Sequence, residues 1–218
     1  MYIEVDSYCK SIKGVTVLEN ISCGFERGRV YGLRGKNGSG KTMLLRALSG
    51  LIFPTSGCVR IGGKRLGKDM PFPESIGLLI ENPSFLAKYT GAKNLELIAG
   101  LRGVIGREEI ARAMRSVGLD PDDKRHYRKY SLGMKQRLGI ACAIMEKPDI
   151  LLLDEPINAL DPTGVAQVEQ VLARARERGA VAIVACHDME ELRLLADEIL
   201  TLAEGRITDS EVVSHEQA

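Results

Sequence analysis

Residues Gly35-Lys36-Asn37-Gly38-Ser39-Gly40-Lys41-Thr42 follow the pattern G-x-x-x-x-G-K-[ST]. Each position has a physical job. Gly35, Gly38 and Gly40 let the backbone turn, so that the N–H groups of a loop including Asn37 and Ser39 point inward at a polyphosphate. Lys41 has the reach to touch β- and γ-phosphates, and the Thr42 hydroxyl can ligate Mg²⁺. The flanks suit this chemistry. Arg29 to Leu33 read as a short strand, and Met43 to Leu48 as a helix whose N-terminus favours anions. A plain glycine-rich turn is the alternative, and a second motif speaks against it.

That second motif is Ile150-Leu151-Leu152-Leu153-Asp154-Glu155. Aliphatics in an unbroken row suit a strand buried on both faces, as in a parallel sheet. Asp154 then falls at the strand's C-terminal end, where open α/β sheets bind ligands. A carboxylate there can hold the Mg²⁺ of a nucleotide site. Glu155, one residue on, can orient and deprotonate a water for attack on a γ-phosphate. The alternative is a strand end solvated by two acids.

The elements needed to position these groups are legible around them. The chain has 218 residues, enough for a sizeable core and for one domain with an insertion. Hydrophobic content of 44% and charged content of 27% are ordinary for a globular protein. The net charge of +1 gives no argument for a nucleic-acid partner held by bulk charge. Five cysteines (Cys9, Cys23, Cys58, Cys142, Cys186) are scattered without C-x-x-C spacing and read as reduced, small apolar residues rather than a disulfide frame or zinc site. The opening Met1-Tyr2-Ile3-Glu4-Val5-Asp6 is not a secretory signal, and no run of about 18 apolar residues is present to span a membrane.

Along the chain, residues 1–34 alternate apolar and polar positions and read as strands, some antiparallel. Residues 57–65 read as a hairpin around Gly62-Gly63. Ile76 to Ile80 form another buried strand. The pattern then changes. Residues 84–146 carry helical periods: Ile110, Ala113, Met114 and Val117 share one face of a helix, with Glu108 and Glu109 in its first turn and Gly118 past its end. This block reads as a helical subdomain (84–146) inserted into an α/β core (1–83 and 147–210), with a polar, frayed tail at 211–218. Asp161-Pro162 opens a further helix with an apolar stripe, Gly179 closes it, and Val181 to Cys186 form another buried strand ending at His187.

The segment Tyr130-Ser131-Leu132-Gly133-Met134-Lys135-Gln136-Arg137-Leu138 resembles the signature motif of ABC-type ATPases, whose usual form is L-S-G-G-Q. Asn158-Ala159-Leu160-Asp161 after the paired carboxylates, and His187 after a strand, complete five motifs in that family's order. The resemblance covers nearly the whole chain. It implies a P-loop NTPase of ABC ATPase fold: α/β, with a mostly parallel core sheet, an N-terminal antiparallel β region and an inserted α-helical subdomain. It implies that Gly35 to Thr42 form the Walker A loop, and that Asp154 and Glu155 form the Walker B pair. By the same resemblance Ser131 and Gly133 contact the γ-phosphate bound by a second subunit. Asp161 crosses the dimer interface, and His187 senses the γ-phosphate. Ser131 and Asp161 also suit ordinary helix capping, which is compatible with those roles.

The chain departs from the family pattern in places. Glu81, in Ile80-Glu81-Asn82-Pro83, stands where Gln is usual. A carboxylate there can meet Mg²⁺ or water but donates no hydrogen bond when ionised. With Ser-Leu-Gly-Met-Lys-Gln, this variant resembles the branch that exports bacitracin-like or lantibiotic-like peptides. The position of the adenine-stacking aromatic falls near Ile12, with Tyr8 four residues earlier, and Cys186 replaces the Ser often found before the histidine. The implied protein is an ATP- and Mg²⁺-dependent ATPase. It works as a head-to-tail dimer on a separate membrane-spanning permease, cytoplasmic and peripheral to the inner face of the membrane, with no nucleic-acid partner. The alternatives are a non-transport ABC ATPase and a weakly hydrolysing nucleotide-dependent regulator.

Overall fold

The computed structural model of the chain describes residues 1–81 and 83–213. Strands β1 (Ile3–Ile12) and β2 (Val15–Phe25) form a hairpin whose turn places Gly14 at φ 82°. β3 (Arg29–Arg34) is buried along its four central residues and leads through the glycine loop into α1 (Lys41–Leu48). β4 (Ser56–Ile61) and β5 (Lys64–Arg65) pair across Gly62-Gly63, both at positive φ, as the Gly-Gly spacing predicts. After β6 (Ile76–Leu79) come α2 (Gly91–Arg102), α3 (Arg107–Ser116), a 3-10 turn at Tyr127–Lys129 and α4 (Leu132–Ile144). The chain ends in β7 (Ile150–Asp154), α5 (Pro162–Glu177), β8 (Val181–Cys186), α6 (Met189–Leu195), β9 (Glu198–Ala203) and β10 (Arg206–Val212).

The strands make two sheets. An antiparallel sheet has the order β2-β1-β4-β5. The second has the order β10-β9-β3-β8-β7-β6, parallel throughout except for the β9–β10 edge. Every residue of β7 and β8 is buried, which explains their unbroken aliphatic runs: both faces of a central parallel strand are covered. One apolar cluster fills the space between the parallel sheet and α2 to α6, and a second lies between the two sheets and α1. All five cysteines are free thiols. Among the described residues, no helix is long and apolar enough to cross a membrane.

Helix starts follow local capping chemistry. Thr90, Ser131, Asp161 and Asp188 cap α2, α4, α5 and α6, each side-chain oxygen accepting a backbone N–H of the first turn. One boundary differs from the sequence reading. Glu211 and Val212, placed there in a polar tail, pair with Ile199 and Glu198 in β10, and Val213 N–H donates to the Asp197 carbonyl at 2.9 Å. An edge strand needs only one apolar face, so its polar sequence conceals it. Residues 214–218 of that tail lie outside the described residues.

β6 meets α4 at very close range. A Cβ on Gly77 would fall 1.9 Å from the Ala143 carbonyl oxygen and 2.8 Å from Pro148. Gly77→Ala should therefore destabilise the fold by about 1–3 kcal/mol through forced backbone displacement. Urea unfolding measures this, and a midpoint equal to that of the parent would contradict the packing described.

Candidate functional site

The loop after β3 is a cradle that side chains would fill. A Cβ at Gly35 would lie 2.3 Å from Ser39 Oγ and 2.5 Å from the Leu202 carbonyl oxygen. Gly38 and Gly40 adopt φ of 82° and 109°, a left-handed region that favours glycine. Lys41 is 6% exposed, and its Nζ donates to the carbonyls of Gly35 (2.6 Å) and Lys36 (3.4 Å), so the ammonium arches over the loop it belongs to. Ser39 Oγ is buried and has no hydrogen-bond partner among the described residues. An orphaned donor, a buried cation and the first N–H groups of α1 together suit a polyanion.

Strand order brings the paired carboxylates to this loop. Leu33 of β3 and Asp154 of β7 both pair with Ala185 of β8 between them, so three strand ends lie in one row. Thr42 Oγ1 donates to Asp154 Oδ2 at 2.6 Å. These two hard oxygen donors form a set that fits a hard divalent cation. Glu155 continues from Asp154 in a left-handed conformation, φ 48°, with its N–H held by the Ala185 carbonyl at 2.8 Å. His187 Nδ1 lies 3.2 and 3.1 Å from the two Glu155 carboxylate oxygens. Val15, Thr16 and Val17 of β2 wall the same groove, together with Glu204 and Gly205.

Gln136 is a participant whose role the sequence reading did not assign. It is buried in α4 and its Nε2 donates to the carbonyls of Glu155 (2.9 Å) and Pro156 (3.1 Å). Its position inside the Ser131–Leu138 motif was the available signal. The next residue, Arg137, binds the Val117 carbonyl (2.6 Å), Asp161 Oδ1 (2.5 Å) and Gln167. Asp161 also caps α5 through the Gly164 N–H at 3.1 Å. That bond, followed by Arg137, holds its carboxyl below the usual range.

Other residues of the sequence reading stand apart from the loop. Ser131 caps α4, accepting from the Met134 N–H at 3.2 Å, and neither Ser131 nor Gly133 lines the groove beside the loop. Glu81 lines a second cavity with Asp154, Glu155 and Leu132. Its carboxylate is paired with Arg46 Nη2 at 2.5 Å, one helical turn after Thr42. Its neighbour Asn82 lies outside the described residues. Tyr8 is 1% exposed in the core, its hydroxyl donating to the Ile52 carbonyl at 3.2 Å, so it offers no ring to the groove. Ile12 is half exposed opposite Val15, which is 65% exposed at the groove's rim, so the apolar surface there is aliphatic.

Residues 18–158 match the family model of the ABC transporter. An uncharacterised ABC transporter ATP-binding protein of Bacillus subtilis (strain 168), YybJ, is 49% identical over 215 residues, covering 99% of both chains. The bacitracin transport ATP-binding protein BcrA of Enterococcus faecalis is 37% identical over 214 residues, covering 97% of this chain and 70% of its own length. A solved ATP-binding subunit of an ABC transporter superposes with a TM-score of 0.87 at 26% identity, covering 98% of this chain and 90% of that one.

Burial pushes the Asp154 carboxyl above the usual carboxylate range. The Thr42 hydrogen bond and Lys41 oppose that shift, while the charges of Glu155 and Glu81 add to it. A raised folded-state value means that the folded chain binds a proton more readily than the unfolded one. Ionised Asp154 therefore destabilises the fold at neutral pH, and stability returns as the pH falls through the raised value. Asp154→Asn keeps an acceptor for Thr42 and removes the buried charge. It should unfold at higher urea than the parent at neutral pH, with the gap closing in acid. A gap absent at neutral pH, or one that widens in acid, would contradict this electrostatic account.

Proposed function

The chain belongs to the ABC transporter family of ATP-binding, ATP-hydrolysing subunits, and from that premise we propose that it drives a separate membrane-spanning permease exporting a peptide antibiotic or similar amphipathic cargo. The convergence of Lys41, Thr42, Asp154, Glu155 and His187 at the C-terminal ends of neighbouring interior strands carries the catalytic part of this reading. The cargo class is supported by the likeness to BcrA, whose name assigns it to bacitracin transport. The chain sits at the inner face of the membrane through its permease.

The N–H groups of Gly35 to Thr42 hold the β- and γ-phosphates, and Lys41 moves its ammonium from the Gly35 carbonyl to phosphate oxygens. Thr42 and Asp154 would hold Mg²⁺, which would neutralise charge developing on the phosphates. Glu155 takes the proton of the attacking water. His187 fixes the Glu155 carboxylate and meets the γ-phosphate. Gln136 fixes the Glu155 backbone, so α4 reports on the state of the base. Glu81, now paired with Arg46, would turn toward the metal or its water, because it borders the same cavity as Asp154 and Glu155. Val15 supplies an aliphatic face to the adenine in place of an aromatic ring.

Ser131 and Gly133 lie outside their own chain's groove, while the adjoining Leu132 is 65% exposed. Their exposed helix start completes the groove of a second copy, head to tail, with Asp161 at the seam. The helices of residues 84–146 act as a subdomain that passes closure to the permease. ATP shared by both surfaces favours the closed pair, and its hydrolysis removes that preference.

Glu155→Gln should retain ATP binding and lower turnover by about 10²–10⁴. It should also run as a dimer in gel filtration with ATP. Adding Ser131→Arg should return it to the monomer. Parental turnover in the first variant would remove Glu155 as the base, and a persistent dimer in the second would remove Ser131 from the interface.

A further inference from the structure

Cys186 closes β8 immediately before His187, and its thiol takes no part in the hydrolytic scheme. The geometry points to a second kind of cation site here: Cys186, His187 and Glu155 bind Zn²⁺ or a comparable thiophilic divalent cation, which arrests hydrolysis while nucleotide stays bound. The arrest rests on the reading of Glu155 and His187 as hydrolytic groups; the binding does not.

The three donors are a thiol sulfur, an imidazole nitrogen and a carboxylate oxygen, all within 4.8 Å of one another. Among the described residues, no other trio of His, Cys, Asp or Glu donors converges in this way. Zinc–sulfur bonds of about 2.3 Å and zinc–nitrogen bonds of about 2.0–2.1 Å require such donors to close up by roughly another ångström. The exposed His187 side chain, on the loop after β8, has room for that movement. Glu155 is less free, since its N–H is held by Ala185 and its carbonyl by Gln136, so the site has one firm wall and one mobile one.

Cys186 is buried, and Sγ already donates to Glu191 Oε2 at 2.8 Å. On binding, the S–H bond breaks and a sulfur–metal bond forms. The proton passes to the Glu191 oxygen that accepts it now, and from there to water. No electron moves. Three protein donors leave a fourth position for water, as in open zinc sites.

Ligand softness separates this trio from the Thr42–Asp154 pair. Thiolate and imidazole select zinc over magnesium, whereas hydroxyl and carboxylate oxygens suit magnesium. A metal on the trio immobilises Glu155 and His187 and leaves Lys41 and Thr42 free to hold phosphates. Turnover then falls without loss of ATP binding.

The test uses the full chain with two probes: Cd²⁺, whose thiolate bond gives an ultraviolet charge-transfer band, and buffered free Zn²⁺ in an ATPase assay. The parent should show the band and lose turnover with zinc while still binding ATP. Cys186→Ser should lose most of the band. It should also need at least about tenfold more zinc for half-inhibition, with metal-free turnover within about twofold of the parent. Cys186→Ala should match it in both metal readouts, which guards against a folding defect in one variant. An undiminished band in both variants, no band in the parent, or equal zinc sensitivity would overturn the site. Displacement of ATP by zinc would overturn the mode of arrest. A parent that binds Cd²⁺ through Cys186 yet hydrolyses no ATP would contradict the functional reading and leave the metal site standing.

Discussion

The bond between the Thr42 hydroxyl and the Asp154 carboxylate, 2.6 Å long, is the contact on which the rest of the site depends. It joins residues far apart in sequence, and it exists because β3 and β7 flank β8 in parallel register. That order sets the glycine loop, the paired carboxylates and His187 at one end of the sheet, where parallel strands deliver their C-terminal ends together. The arrangement holds a buried lysine and a buried aspartate beside one another without a direct ion pair between them. Lys41 is satisfied by loop carbonyls, and Asp154 by a hydroxyl. Both are thus kept in place by contacts that phosphate and metal can exchange.

α4 links these strand ends to the rest of the surface. Its first residue follows the Ser131 cap, exposed to solvent. About one turn in, Gln136 grips the backbone of Glu155 and Pro156, and Arg137 grips Asp161 and the Val117 cap of α3. Adjacent side chains on one helix thereby hold Glu155 on one side and the α5 cap on the other. In the proposed head-to-tail pair, a displacement of Ser131 would be transmitted along one rigid element to both, a short physical route from that contact to Glu155.

Much of this is legible in the sequence. Unbroken aliphatic runs at Ile150–Asp154 and Val181–Cys186 mark strands covered on both faces, and both are central. Asp161-Pro162 marks a helix start because aspartate accepts the first-turn N–H and proline needs no partner there. What escaped was long-range side-chain pairing and the strand that lacks an apolar signature. The Glu81–Arg46 and Gln136–Glu155 contacts join different elements, so no periodicity announces them. Tyr8 follows the antiparallel pleat into the core through an irregular register in β1, which a sequence pattern cannot show. β10 is held by its ladder with β9 rather than by burial, so its polar residues concealed it.

The central claim is that Thr42 and Asp154 form the seat of the metal that accompanies ATP. Calorimetric titration of ATP into the parent and into Asp154→Asn, each with and without Mg²⁺, tests it most directly. The account predicts one nucleotide per chain, tightened by Mg²⁺ in the parent and no longer so in the variant. Equal tightening by Mg²⁺ in both proteins would contradict it.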